Sequence, residues 1–290
     1  MKCVVWLSGN WTNLSEENYP RFVALMRQLA TYLPREIVVN VSGNAERIRT
    51  IAERLLVDAT IPCPTCERPW HPPLRVGIPT CEVFANGPLD ATDEATKSRW
   101  RALADLASWC VSATGRAPVI DFEGSLIVWF DGASGATLSL ARLRENLEDF
   151  DALYEGPPPL VYPSFYAGFE ARRAAWLATL LAAWHGHGEL IGTTYHSPAS
   201  LALPASALVR NVEAALRGSE RAEQVIVGSQ WWLPGTLATP LSAVAAADRT
   251  AWLWWQTDVL STDPNVNLVS ATMAATQAAL QSSENVDGKS

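Results

Sequence analysis

Short apolar runs of β type alternate with longer amphipathic stretches eight times along 290 residues, which predicts an α/β fold, a single-domain (β/α)8 barrel. Two further observations point the same way. Most runs are nearly continuous in Val, Ile, Leu, Trp and Tyr, as strands of a parallel sheet read when both faces are buried. The spacing is about 36 residues per strand–helix pair, ordinary for such a barrel. A doubly wound open sheet is the competitor, but it usually has fewer strands. No G-x-G-x-x-G follows a strand and no Walker A sequence occurs.

Taken in order, strands are predicted at Cys3–Ser8, Glu36–Val41, Arg75–Phe84, Pro118–Glu123, Leu160–Tyr166, Leu190–Tyr195, Gln224–Gln230 and Ala251–Gln256. The first helix, Glu16–Tyr32, carries Phe22, Leu25, Met26 and Leu29 at helical spacing. Ala45–Leu56, Thr92–Ser112, Ser139–Leu153, Glu170–Trp184, Ala205–Leu216 and Ser242–Asp248 follow the same pattern, and Asn267–Gln281 closes it. No composition shift or linker divides the chain, so residues 1–290 read as one TIM-barrel-like domain, with a disordered polar tail over 282–290.

Composition narrows the function. Twenty-two basic against thirty acidic side chains give a net charge of −8, a field that repels phosphate backbones and anionic lipids. Neither nucleic acid nor a membrane is expected as partner. The longest uncharged stretch, Gln224–Ala247, is broken by Pro234 and Pro240 and does not read as a membrane span. Met1-Lys2-Cys3 runs straight into a short apolar run with no secretory pattern, so synthesis in a cytoplasm without a signal peptide is expected. Thirteen tryptophans are roughly three times the usual share, which suits stacking on sugar rings as well as packing.

Five cysteines are spread along the chain. Cys3 and Cys110 sit in apolar surroundings and read as small core residues. Cys63-Pro-Thr-Cys66 is a single CxxC, with His71 and Cys81 nearby in sequence. Two free thiols, a structural metal site and a disulfide all remain open for it. No cofactor is expected. His185 and His187 follow a helix end and read as a favourable cationic terminus rather than a metal site.

In a barrel of this kind the active site gathers at the C-terminal ends of the strands. Those ends carry Ser8, Asn40, Glu82, Asp121 and Glu123, then Tyr162, Tyr166, Tyr195, His196, Gln230, Trp231, Trp232, Trp255, Gln256 and Asp258. The set is hydroxylated and aromatic with carboxylates, as a carbohydrate cleft requires. Asp121 and Glu123 are two apart on one strand and therefore share a face. Close carboxylates repel, so one holds a proton as general acid while the other stays ionised, the pairing that glycoside hydrolysis uses.

Val119-Ile-Asp-Phe-Glu123 resembles the D-x-E strand of the lysozyme-like muramidases of glycoside hydrolase family 25, and the likeness extends back through Ala102–Thr114 and the turn Gly115–Pro118. Leu160-Val-Tyr162 is similar to that family's fifth strand, Ala251–Gln256 to its late W-Q strand, and Asn265–Leu268 to its V-D-L-N stretch. The chitinase-like barrels of family 18 also carry a D-x-D-x-E at this strand. The resemblance implies Glu123 as general acid and Asp121 as its partner, acting on an N-acetylated polysaccharide, most naturally peptidoglycan. Two family acids are replaced, one by Trp6 on the first strand and one by Asn267. Those departures keep a second reading open, a non-catalytic carbohydrate-binding or structural barrel with an assembly partner in a larger particle such as a phage virion. A virion-associated protein, or one released by lysis, needs no signal peptide.

Overall fold

In the computed structural model, the described residues are 3–8, 16, 18–32, 35–63, 66–122, 124–125, 139–162, 190–192, 224–228 and 250–256. The main strands are β1 (Cys3–Ser8), β2 (Glu36–Asn40), β5 (Leu74–Pro79), β6 (Val119–Asp121), β7 (Leu160–Tyr162), β8 (Leu190–Gly192), β9 (Gln224–Gly228) and β10 (Thr250–Gln256). They form one eight-stranded sheet in the order β7-β6-β5-β2-β1-β10-β9-β8. That is the cyclic order of a (β/α)8 barrel read from its fifth strand round to its sixth, and the chain has the α/β barrel fold its alternation predicts. The described helices are α1 (Tyr19–Ala30), α2 (Ala45–Asp58), the short α3 (Thr80–Val83), α4 (Glu94–Thr114) and α5 (Leu140–Leu153). The predicted helices Glu170–Trp184, Ala205–Leu216, Ser242–Asp248 and Asn267–Gln281, and the tail 282–290, lie outside the described residues. No described helix is long and apolar enough to cross a membrane.

The chain divides into two compact units, residues 1–39, 55–74 and 191–290 forming one and residues 40–54 and 75–190 the other. In the first unit β1 is central, parallel to both β2 and β10. Its residues Val4, Val5, Trp6 and Leu7 are all buried, as the continuous apolar run requires. Helix α1 buries Phe22, Met26 and Leu29, the predicted stripe, and Tyr19 Oη donates to Asp58 Oδ2 at 2.8 Å.

Two local departures from the sequence reading have clear causes. The third main strand stops at Pro79 instead of running to Phe84. Pro79 has no N–H to donate onward, and Thr80–Val83 turns at once into α3. A small antiparallel hairpin, β3 (Ile61–Pro62) with β4 (Pro69–Trp70), has no counterpart in the predicted elements because its strands are two residues long. Cys63 and Cys66 form its tip. Cys63 N donates to Arg68 O, while Cys66 N and Glu67 N both turn back to Cys63 O, with Glu67 at φ 58°. Neither sulfur is in a disulfide among the described residues, and the His71 ring nitrogen Nδ1 bonds with Leu56 O and Thr60 Oγ1.

The second unit is built on α4. Asp93 caps its start by accepting from Thr96 N at 3.0 Å, and Gly115 ends it at φ 68°, a left-handed position suited to glycine. Trp100 is the centre of its buried face. The indole lies edge-on to Phe84 (5.0 Å between centroids) and Phe150 (6.3 Å), and 6.5 Å from Phe122, so it ties α3, α5 and the end of β6 together. Its Nε1 donates to Leu89 O, which also receives Asn146 Nδ2. Replacing Trp100 with alanine is therefore expected to cost about 3–5 kcal/mol, and phenylalanine distinctly less because the ring contacts survive. Denaturant unfolding of the two variants checks this; equal losses would show that the ring cluster is not what the indole supplies.

Candidate functional site

Strand β6 presents two different faces. Phe122, just past its end, is buried against Trp100, whereas Asp121, one residue earlier, is turned the other way toward Asn40 at the end of β2. This is the alternation of a strand, and it sets a carboxylate at a C-terminal strand end, where barrel sites form. Asp121 is only 8% exposed. Burial disfavours a carboxylate unless protein dipoles replace its water. Asn40 Nδ2 supplies one, donating to Asp121 Oδ2 at 2.7 Å.

The backbone around this carboxylate is fixed as well. Thr80 Oγ1 donates to Asp121 O at 2.9 Å and lies 2.8 Å from Ser125 Oγ. The parallel register sets Pro79, Asp121 and Tyr162 side by side, and Phe122 N donates to Tyr162 O at 2.9 Å. Tyr162 is buried at the end of β7. Ser42 Oγ donates weakly, at 3.4 Å, to Glu82 Oε1 on the exposed side of α3.

Cys81, on α3, lies against Gly124. A β-carbon at Gly124 would collide with its sulfur. Burial pushes the Cys81 thiol up to about 12, and the negative charges of Asp121 and Glu82 push in the same direction. A thiol that titrates so high is a poor nucleophile at neutral pH. Among the described residues no three or more His, Cys, Asp or Glu side chains are grouped to hold a metal ion.

Of the site residues read from the sequence, Asp121 and Tyr162 are brought together in neighbouring register positions. On β10, Trp255 stands opposite Leu7 and Gln256 opposite Ser8. Glu123, Tyr166, Tyr195, His196, Gln230, Trp231, Trp232 and Asp258 lie outside the described residues. Trp6, which stands where the family 25 pattern has an acid, is buried in β1. In sequence Asn40 reads only as a strand end, and neither Thr80 nor Gly77 reads as a site residue. The signal for Gly77 was available: an isolated glycine inside an apolar strand marks a close approach of another group. Here that group is the Asn40 side chain, which a β-carbon at Gly77 would overlap.

No model of a known protein family matches the sequence, and no curated protein matches it. Solved structures do share its fold. The exo-β-1,4-mannosidase Op5Man5 from Opitutaceae bacterium strain TAV5 is similar at a TM-score of 0.56 and 13% identity, over 98% of this chain and 60% of that one. The full-length tri-modular endo-β-1,4-glucanase B from Bacillus halodurans gives 0.53 and 10%, over 93% and 59% respectively. The endo-1,4-β-mannanase from Rhizomucor miehei gives 0.53 and 10%, over 93% of this chain and 94% of that one. This chain thus spans about three fifths of the mannosidase and the glucanase. The likeness is one of fold, to the barrels of glycoside hydrolases, and it does not single out family 25.

The electrostatic link between Asp121 and Cys81 gives a direct test. Asp121→Asn removes a charge that opposes thiolate formation, so the Cys81 thiol is expected to titrate lower than about 12, while burial keeps it above its ordinary value. The pH dependence of alkylation at Cys81, followed by mass spectrometry, reads this shift. An unchanged profile would mean that the Asp121 charge does not reach the sulfur.

Proposed function

We propose that the chain is a glycoside hydrolase-like barrel that cleaves an N-acetylated polysaccharide, with peptidoglycan as the first candidate. The observation that carries the reading is the buried carboxylate of Asp121, held by Asn40 at the C-terminal end of the barrel's fourth strand. A carboxylate kept out of water at that end of a barrel is placed for chemistry rather than for solubility. The fold shared with mannosidase, glucanase and mannanase structures supports a carbohydrate as ligand.

In this reading Glu123 is the general acid that protonates the leaving glycosidic oxygen, and Asp121 is its ionised partner. An ionised Asp121 favours the protonated state of a neighbouring carboxyl and stabilises positive charge as it develops on the sugar ring. Tyr162, Tyr166, Tyr195, His196, Gln230, Trp231, Trp232, Trp255, Gln256 and Asp258 are the proposed cleft residues, supplying hydroxyl contacts and stacking faces.

A second reading is favoured by one observation. Trp6, a buried indole in β1, stands where the family 25 pattern has an acid. A barrel so altered would bind glycan without cutting it, as a component of a larger particle.

One assay separates the two. Purified protein is incubated with bacterial cell walls and, in parallel, with β-mannan and β-glucan, and new reducing ends are counted. Hydrolysis of cell walls is expected, with Glu123→Gln losing about 10²–10⁴ in rate while folding normally. Asp121→Asn is expected to lose activity and to shift the pH optimum downward, because the charge that helps raise the acid's pKa is gone. Binding to cell walls without new reducing ends selects the non-catalytic barrel, and cleavage of mannan or glucan alone overturns the N-acetylated substrate.

A further inference from the structure

We propose that Asn40 is a positioning residue that keeps Asp121 ionised and aimed at the strand ends, and that Gly77 exists to make room for it. The inference rests on the reading of Asp121 as the ionised carboxylate of the site. Three observations converge on it. Asn40 and Asp121 are 81 residues apart in sequence, yet Asn40 Nδ2 reaches Asp121 Oδ2 at 2.7 Å in the interior. Asn40 itself is 6% exposed, so the contact is not a surface accident. Its other amide atom, Oδ1, is buried with no hydrogen-bond partner among the described residues.

That last observation supports this polarity. Leaving a buried acceptor unmet is unfavourable, and an amide free to choose would turn its oxygen toward any available donor. A protonated carboxyl at Asp121 would be such a donor. The amide instead faces the carboxylate with its N–H and leaves its oxygen over Gly77, the arrangement that a charged Asp121 rewards. Gly77 makes this orientation possible, because any β-carbon there would overlap Oδ1 and crowd Cγ. Three groups near Asp121 differ in kind from the Asn40 amide. Cys81 carries a protonated thiol, Glu82 adds like charge, and Thr80 Oγ1 is spent on the Asp121 carbonyl. Tyr162 is the register neighbour on the far side.

The test titrates Asp121 by ¹³C NMR of its side-chain carboxyl, assigned by comparison with Asp121→Asn. The wild-type carboxyl is expected to be ionised throughout the neutral range. Asn40→Leu, which removes the donor, is expected to move its titration upward by roughly one unit or more. Asn40→Asp keeps the shape, removes the donor and adds a like charge, and is expected to raise it further. Gly77→Ala, which leaves Asn40 in place but takes its space, is expected to reproduce the Asn40→Leu shift. A wild-type Asp121 that titrates at or above neutral pH overturns the proposal outright, whether or not any variant folds. Unchanged Asp121 titration in folded Asn40→Leu and Asn40→Asp overturns it equally. The glycan assay stands apart: wild-type protein that cleaves nothing removes the hydrolase reading, and the carboxyl titration still answers for Asn40.

Discussion

A carboxylate at the end of a parallel strand, shut away from water, is stable only if protein dipoles take over its solvation. Asp121 meets that requirement through the Asn40 amide, and most of what surrounds it follows from the need to hold the pair still. The donor sits on β2 and the acceptor on β6, so the strand β5 that lies between them in the sheet must be narrow where the side chains cross. Gly77 is that narrow point. The carbonyl of Asp121 is pinned separately by Thr80, whose position follows from the break of β5 at Pro79. A charge-assisted hydrogen bond is worth about 1.5–3 kcal/mol, comparable with leaving one buried acceptor unmet, so the arrangement is close to balanced.

The same strand serves stability on its other side. Ile120 and Phe122 are fully buried, and the Phe122 ring belongs to the cluster around Trp100. Because neighbouring residues of a strand alternate, packing Phe122 into the aromatic cluster sets the face that Asp121 occupies, and the Asn40 amide meets its carboxylate there. Trp100 is itself fastened at its polar end by the Leu89 carbonyl, which Asn146 of α5 also binds. The cluster and the carboxylate are two faces of one three-residue strand.

What the sequence made legible follows from the period of its elements. Apolar runs such as Val4–Leu7 and Ile37–Val39 announce buried strands because parallel strands bury both faces, and α1 announces itself by Phe22, Met26 and Leu29. Asp121 was legible as a polar residue ending such a run. Asn40 carried the same signal, but an amide lacks the pairing logic that drew attention to Asp121 and Glu123. Thr80 was hidden because Ile78-Pro-Thr-Cys-Glu-Val-Phe84 reads as one extended run. Only the missing N–H of Pro79 marks the stop. The hairpin around Cys63 and Cys66 is too short to produce any period, so its backbone turns could not be read from residue pattern.

The cysteines show how place overrides type. Cys81 has two carboxylates within electrostatic reach, and in sequence it reads as a possible fourth ligand for Cys63, Cys66 and a metal. A thiol is a ligand or a nucleophile only as thiolate, and thiolate formation is opposed here by burial first and by Asp121 and Glu82 after it. The sulfur fills the space beside Gly124 instead, behaving as a small apolar wedge under the site. On the proposed reading of Asp121 as ionised, the carboxylate and not the thiol is the reactive group of this corner, and the proposed site is anionic. A ligand suited to it is neutral in its ground state and gains positive character at its reacting carbon, as a glycoside does when its bond to oxygen breaks.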